Sequence, residues 1–275
     1  MSSFDSIDRV KLREFLDRRV TDGVLRRLID KWLKAGVLED GQLHYPELGT
    51  PQGGVISPCL ANIFLHYVLD EWFAAEVQPR LRRRSTLVRF ADDFVALVGC
   101  KEDADRVLEV LAKRVGKYGL QLHPDKTQLV DFRPPTKPTT SSGETTLATT
   151  FNFLGFLHVW GKSRKGNRVV RQQTAKDRMA RALGAIAEKC RRMRHQPLVD
   201  QHRQLSQKLK GHFAYFGITG NSLRLEQLYK ETKRIWRKWL SRRSNKSRVN
   251  WKKFTRIEKQ FPLPPPKIVH RYTGA

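Results

Sequence analysis

Two adjacent carboxylates, Asp92 and Asp93, stand between two β-rich runs, Leu87-Val88-Arg89-Phe90 and Phe94-Val95-Ala96-Leu97. The pattern predicts a hairpin with both acids at its turn. Strands of this composition bury one face, and side-by-side carboxylates repel and resist ionising together. A hard divalent cation relieves that repulsion, because Mg²⁺ takes oxygen ligands and is commonly held by one or two carboxylates plus substrate phosphates. The plain alternative is an exposed Asx turn, and the pair alone does not separate the two readings.

Other stretches carry chemistry only in combination. Gly49-Thr50-Pro51-Gln52-Gly53-Gly54-Val55-Ile56-Ser57-Pro58 lets backbone approach a ligand closely and enters a helix, with Ser57 as the expected cap and Pro58 in the first turn. Such an entry binds phosphate or is simply a loop. Four arginines between Arg80 and Arg84 suit phosphate contact or a solvated surface, and Lys126 in the turn His123–Thr127 is, alone, an ordinary surface lysine.

The elements that must position these residues follow from periodicity. Asp8 is placed to cap a helix containing Leu12, Phe15 and Leu16, and Val24, Leu25, Leu28, Ile29, Trp32 and Leu33 form a second stripe, expected in the core and closed by Gly36. Residues 38–42 read as a turn. Leu60, Ile63, Phe64, Tyr67, Val68 and Trp72 mark a third helix, and Lys101–Tyr118 a fourth with Val107, Leu108, Leu111 and Val115 inward. Short strands are expected at 120–122 and 128–130, then an exposed loop over 133–150 rich in Pro, Ser, Thr and Gly. The aromatic run Phe151–Trp160 reads as a strand returning through the turn 165–168. Three helices follow at roughly 174–194, 199–216 and 222–240, and Pro262–Pro266 is extended.

Charge divides the chain. Residues 1–160 hold 22 Lys/Arg against 21 Asp/Glu, whereas residues 161–260 hold 29 against 6, within an overall +26. A merely solvated surface would mix both signs, so the second half calls for a polyanion. An anionic membrane surface competes with nucleic acid, and Phe213, Tyr215, Phe216, Trp236, Trp239 and Trp251 favour nucleic acid. No apolar run approaches a membrane span, and three scattered cysteines form neither a zinc spacing nor a disulfide framework, so a cytoplasmic location is expected.

The order of the pieces is more specific than any one of them. Gly49-Thr-Pro-Gln-Gly-Gly-Val-Ile-Ser-Pro58, Phe90-Ala-Asp-Asp93, Leu122-His-Pro-Asp-Lys-Thr127 and Phe153-Leu-Gly-Phe156, followed by Gly217-Ile-Thr-Gly-Asn221, Trp236, Trp239 and Pro262–Pro266, resemble the reverse transcriptases of bacterial group II introns, the intron-encoded maturases. The likeness implies an α+β fold: a right-hand polymerase palm, an antiparallel sheet backed by helices, over 1–160, then an all-α basic thumb, the maturase-specific domain, over 161–261 and an extended Pro-rich tail over 262–275. It implies RNA-directed DNA polymerisation with two metal ions about 3.5–4 Å apart, Mg²⁺ with Mn²⁺ as the alternative. Asp92 would be the main metal ligand, with Asp93 beside it. Pro51, Gln52, Gly53, Gly54 and Lys126 would face nucleotide and template, and Phe153, Leu154, Gly155 and Phe156 would grip the primer. The implied partners are structured intron RNA, an RNA template with a DNA primer, and a deoxynucleoside triphosphate, with no membrane. Phe90 stands where the family usually has Tyr.

One departure matters. Phe4-Asp5-Ser6-Ile7-Asp8 matches the end of the family motif whose metal-binding Asp would fall about two residues before Met1, and no fingers region precedes it. The expectation is an N-terminally truncated polymerase, weakly active alone and served by upstream residues or a separately encoded fingers-bearing chain. The alternative is a non-catalytic maturase fragment that binds intron RNA. With no His/Asn or Cys-rich nuclease segment after the thumb motifs in this sequence, no endonuclease activity is expected.

Overall fold

A computed structural model describes residues 8–34, 37–39, 42–44, 56–134, 150–163, 165–244 and 248–271. The fold is α+β, with helices and small antiparallel sheets. It divides into two compact units, 1–129 and 130–275, so the contact boundary lies upstream of the charge boundary near residue 160.

In the first unit, α1 (Arg9–Asp17) starts where expected: the Asp8 carboxylate accepts from the Val10 and Lys11 amides at 2.9 and 3.3 Å. Its Leu12, Phe15 and Leu16 are buried. In α2 (Gly23–Lys34) only Ile29 and Leu33 reach the core. Val24, Leu25, Leu28 and Trp32 are exposed, against expectation, because the helix docks along one edge of its apolar stripe and nothing among the described residues covers the rest. Two short strands, β1 (Val37–Glu39) and β2 (Gln42–His44), pair antiparallel where only a turn was expected. Gly36 and the Pro51–Gly54 segment lie outside the described residues.

The third helix, α3 (Ser57–Leu65), starts one residue early. Ile56 occupies the cap position and Ser57 is the first helical residue, so Ser57 is not the expected cap. The helix continues through two π-helical stretches, His66–Glu71 and Phe73–Val77. Leu60, Phe64, Val68, Leu69, Trp72 and Phe73 on this element form the centre of the unit's core. β3 (Thr86–Phe90) and β4 (Asp93–Leu97) make the expected hairpin. α4 (Lys101–Lys117) buries Val107, Leu111 and Val115, leaves Leu108 exposed, and ends before Gly119, whose φ of 75° suits glycine. The strands expected at 120–122 and 128–130 do not form a ladder. Leu120 and Leu122 instead pack against the helical core, which satisfies the apolar pattern without strand pairing.

The second unit opens with a three-stranded antiparallel meander, β5 (Phe151–Phe153), β6 (Phe156–Lys162) and β7 (Arg168–Thr174). Helices α5 (Lys176–Arg192), α6 (Leu198–Phe216), α7 (Ser222–Leu240) and α8 (Trp251–Gln260) follow. Their core holds Met179, Ile186, Leu205, Phe213, Leu228 and fully buried Trp236, whose indole donates to Gln201 Oε1 at 2.9 Å. Buried Asn221 joins sheet to helices: its Oδ1 accepts from the Thr174 amide at 2.9 Å, and its Nδ2 donates to Thr174 Oγ1 and the Phe216 carbonyl, both at 2.8 Å. Residues 263–271 are extended but tied down. Leu263 is buried, and the Val269 and His270 amides donate to the Gly217 carbonyl at 2.7 and 2.9 Å.

Candidate functional site

The register of the β3–β4 hairpin sets the position of the acids. Phe90 pairs with Asp93, which leaves Ala91 and Asp92 as a two-residue turn. Leu87, Phe94 and Ala96 point inward and pack on the core, whereas Val88, Phe90 and Leu97 are exposed on the opposite face with Asp93. Ala91 has φ 54°, in the left-handed region that favours glycine. Phe90, at the place of the usual Tyr, is 67% exposed, so a hydroxyl there would meet solvent.

Asp92 is half-buried and Asp93 exposed, and among the described residues neither carboxylate has a salt-bridge or hydrogen-bond partner. Asp70, by contrast, receives the Arg89 guanidinium bidentately: Nε donates to Oδ1 at 2.7 Å and Nη2 to Oδ2 at 2.6 Å. Arg89 Nη1 also donates to Asn62 Oδ1 at 2.9 Å and to the Ala91 carbonyl at 2.8 Å. Two adjacent, uncompensated carboxylates at a hairpin tip suit a hard dication that completes its shell from substrate phosphate and water. Among the described residues no group of three potential ligands gathers.

Lys126 is exposed on the turn 124–126 and forms no salt bridge with either acid. The residues expected to grip the primer, Phe153–Phe156, lie in the second unit. Phe153 pairs with Phe156 across a two-residue turn in which Leu154 and Gly155 have φ 51° and 80°. The Tyr215 hydroxyl donates to the Leu154 carbonyl at 2.9 Å. The Phe156 ring lies 5.7 Å from Tyr215 and 5.1 Å from Phe216. His212 stacks on Phe216 at 4.5 Å, and burial pushes its imidazole down to about 4.

Sequence reasoning missed the roles of Arg89, Asp70 and Asn62, and it named Asn221 in a motif without its link to Thr174. One signal was available: alternation puts Arg89 on the same inward face as Leu87, and a charge there needs a partner. Asp70 and Asn62 carry no comparable signal, since α3 and its π-helical continuation had first to be placed against the hairpin.

Residues 1–158 match the family described as reverse transcriptase (RNA-dependent DNA polymerase). The group II intron-encoded protein LtrA of Lactococcus lactis subsp. cremoris is 45% identical over 82 residues, 30% of this chain and 13% of that protein. Protein YkfC of Escherichia coli (strain K12) is 30% identical over 197 residues, covering 62% and 48% respectively. The telomerase reverse transcriptase of Takifugu rubripes is 30% identical over 101 residues, 36% of this chain and 9% of that protein. The chain therefore spans less than half the length of each of these relatives. With more than half of its residues inside the matched region, the chain belongs to the reverse transcriptase (RNA-dependent DNA polymerase) family.

Proposed function

We propose that this chain supplies the palm, over 1–160, and the thumb, over 161–261 with the tail 262–275, of a group II intron-encoded reverse transcriptase and maturase. The observation that carries the reading is the pair of adjacent carboxylates, Asp92 and Asp93, without an ion-pair partner among the described residues, at a hairpin tip inside the family-matched region. The reaction is nucleotidyl transfer. A primer 3′-hydroxyl oxygen bonds to the α-phosphorus of a deoxynucleoside triphosphate, and the bond to pyrophosphate breaks. Mg²⁺ bound by Asp92 and Asp93 would neutralise charge on the triphosphate, with Mn²⁺ as a substitute. The chain's own residues position: Pro51, Gln52, Gly53 and Gly54 beside nucleotide and template, Lys126 toward phosphate, and Phe153–Phe156 against the primer end.

The basic second half would hold structured intron RNA. The names of the intron-encoded relatives and the 29-to-6 excess of basic residues over 161–260 support this partner. Affinity should fall steeply with salt, by several log units per log unit of salt if roughly five to ten phosphates are neutralised. No helix among the described residues is long and apolar enough to cross a membrane.

A second reading, an RNA-binding maturase fragment without catalysis, is favoured by the lack of a third acidic ligand among the described residues. Primer extension on an RNA template decides, run with this chain and with the chain completed by a fingers-bearing partner. Incorporation that vanishes in Asp92→Ala supports the polymerase. Salt-dependent RNA binding with no incorporation in either setting supports the fragment.

A further inference from the structure

Arg89 is a charged residue on the inward face of an otherwise apolar strand. Its side chain is 12% exposed, against 31% for Asp70. Its bonds converge on one place. Two go to Asp70, in the π-helical stretch His66–Glu71, one goes to Asn62 in α3, and one goes to the carbonyl of Ala91. Ala91 is the turn residue with left-handed backbone, directly before Asp92. Alanine does not hold that conformation by preference, so the surrounding structure must impose it. A planar guanidinium reaches three acceptors in fixed directions, which an ammonium cannot. Arg89 is committed to Asp70 and forms no ion pair with Asp92 or Asp93. Helix distortions of the π type recur at functional sites, and here one carries the anchoring carboxylate.

We infer that Arg89, seated on Asp70 and Asn62, is a positioning residue that locks the Ala91–Asp92 turn and thereby fixes how the two carboxylates face a divalent cation. The inference rests on the metal-ligand reading of Asp92.

The test is Mn²⁺ binding by the full chain, followed by the paramagnetic resonance of free Mn²⁺, with the thermal midpoint recorded for each variant. The wild-type chain should bind Mn²⁺ at a site lost in Asp92→Asn. Arg89→Lys and Asp70→Asn should each weaken that site about tenfold, the scale seen when outer-shell partners of metal ligands are removed. The double variant should be no weaker than either single one. Asn62→Ala, which removes one neutral bond and leaves no buried charge, should weaken the site less and fold normally. It decides the matter together with Asp70→Asn if Arg89→Lys does not fold. Asp92-dependent binding unchanged in the folded variants would overturn the positioning role alone. Absence of any Asp92-dependent binding would overturn the metal reading and this inference with it.

Discussion

Both hairpins that carry candidate site residues turn through a non-glycine residue with positive φ, Ala91 at 54° and Leu154 at 51°, and they are held there differently. The Ala91 carbonyl accepts from Arg89, a charged group anchored bidentately on Asp70, whereas the Leu154 carbonyl accepts from the half-exposed phenol of Tyr215. One hairpin ends in two acids that have no ion-pair or hydrogen-bond partner among the described residues, and keeps its outer face exposed. The other belongs to a three-stranded sheet whose turn rests on aromatic rings and whose last strand is fastened to the helices through Asn221. Charged, multidentate clamping fixes direction, whereas aromatic packing supplies a broad surface.

The largest effect is expected where the second hairpin meets its helices. Asn221→Ala strands the Thr174 amide and hydroxyl and the Phe216 carbonyl, a loss of about 2–4 kcal/mol. Hydrogen exchange should show β7 and the α6–α7 junction opening, with amides of the first unit unchanged. A uniform change across both units would break the comparison.

Next comes acid sensitivity at His212, on the α6 face that backs the second hairpin. An unfolded chain protonates His212 near 6.5, whereas the folded unit refuses the proton until about 4. Stability therefore falls as pH drops through that window, by up to about 3 kcal/mol at 1.36 kcal/mol per pKa unit. Urea midpoints at pH 7.5 and 5.0 should differ less in His212→Gln than in the wild type.

Smaller effects separate the two turns. Ala91→Gly relieves left-handed strain and should stabilise by about 0.5–1 kcal/mol. Leu154→Gly should gain less, because the half-buried Leu154 side chain loses its packing. Tyr215→Phe removes a half-exposed hydrogen bond but keeps the ring against Phe156, and should cost about 0.5 kcal/mol. Thermal midpoints of the three variants give the ordering directly.

Much of this comparison was legible in the sequence. The alternation on both sides of Asp92-Asp93 gave the hairpin, and Asp8 gave the first cap. Helix α8 was legible but unread: Trp251, Phe254 and Ile257 are spaced three apart, and Asn250 caps the helix by accepting from the Lys253 amide at 2.9 Å. The exposed stripe of α2 was illegible, since periodicity shows that a helix has an apolar face and not whether anything covers it. The Arg89–Asp70 and Asn221–Thr174 links were illegible too, since they join residues 19 and 47 positions apart that only the tertiary fold brings together.

The most direct test measures nucleotide incorporation and RNA affinity side by side for the protein, assayed with a fingers-bearing partner as proposed above, and its Asp92→Ala variant. Incorporation should fall to background while the dissociation constant for structured RNA stays within about twofold, since phosphate contacts by distant Lys and Arg supply that affinity. Incorporation equal to wild type in Asp92→Ala would contradict the assignment of the Asp92–Asp93 hairpin as the catalytic metal site.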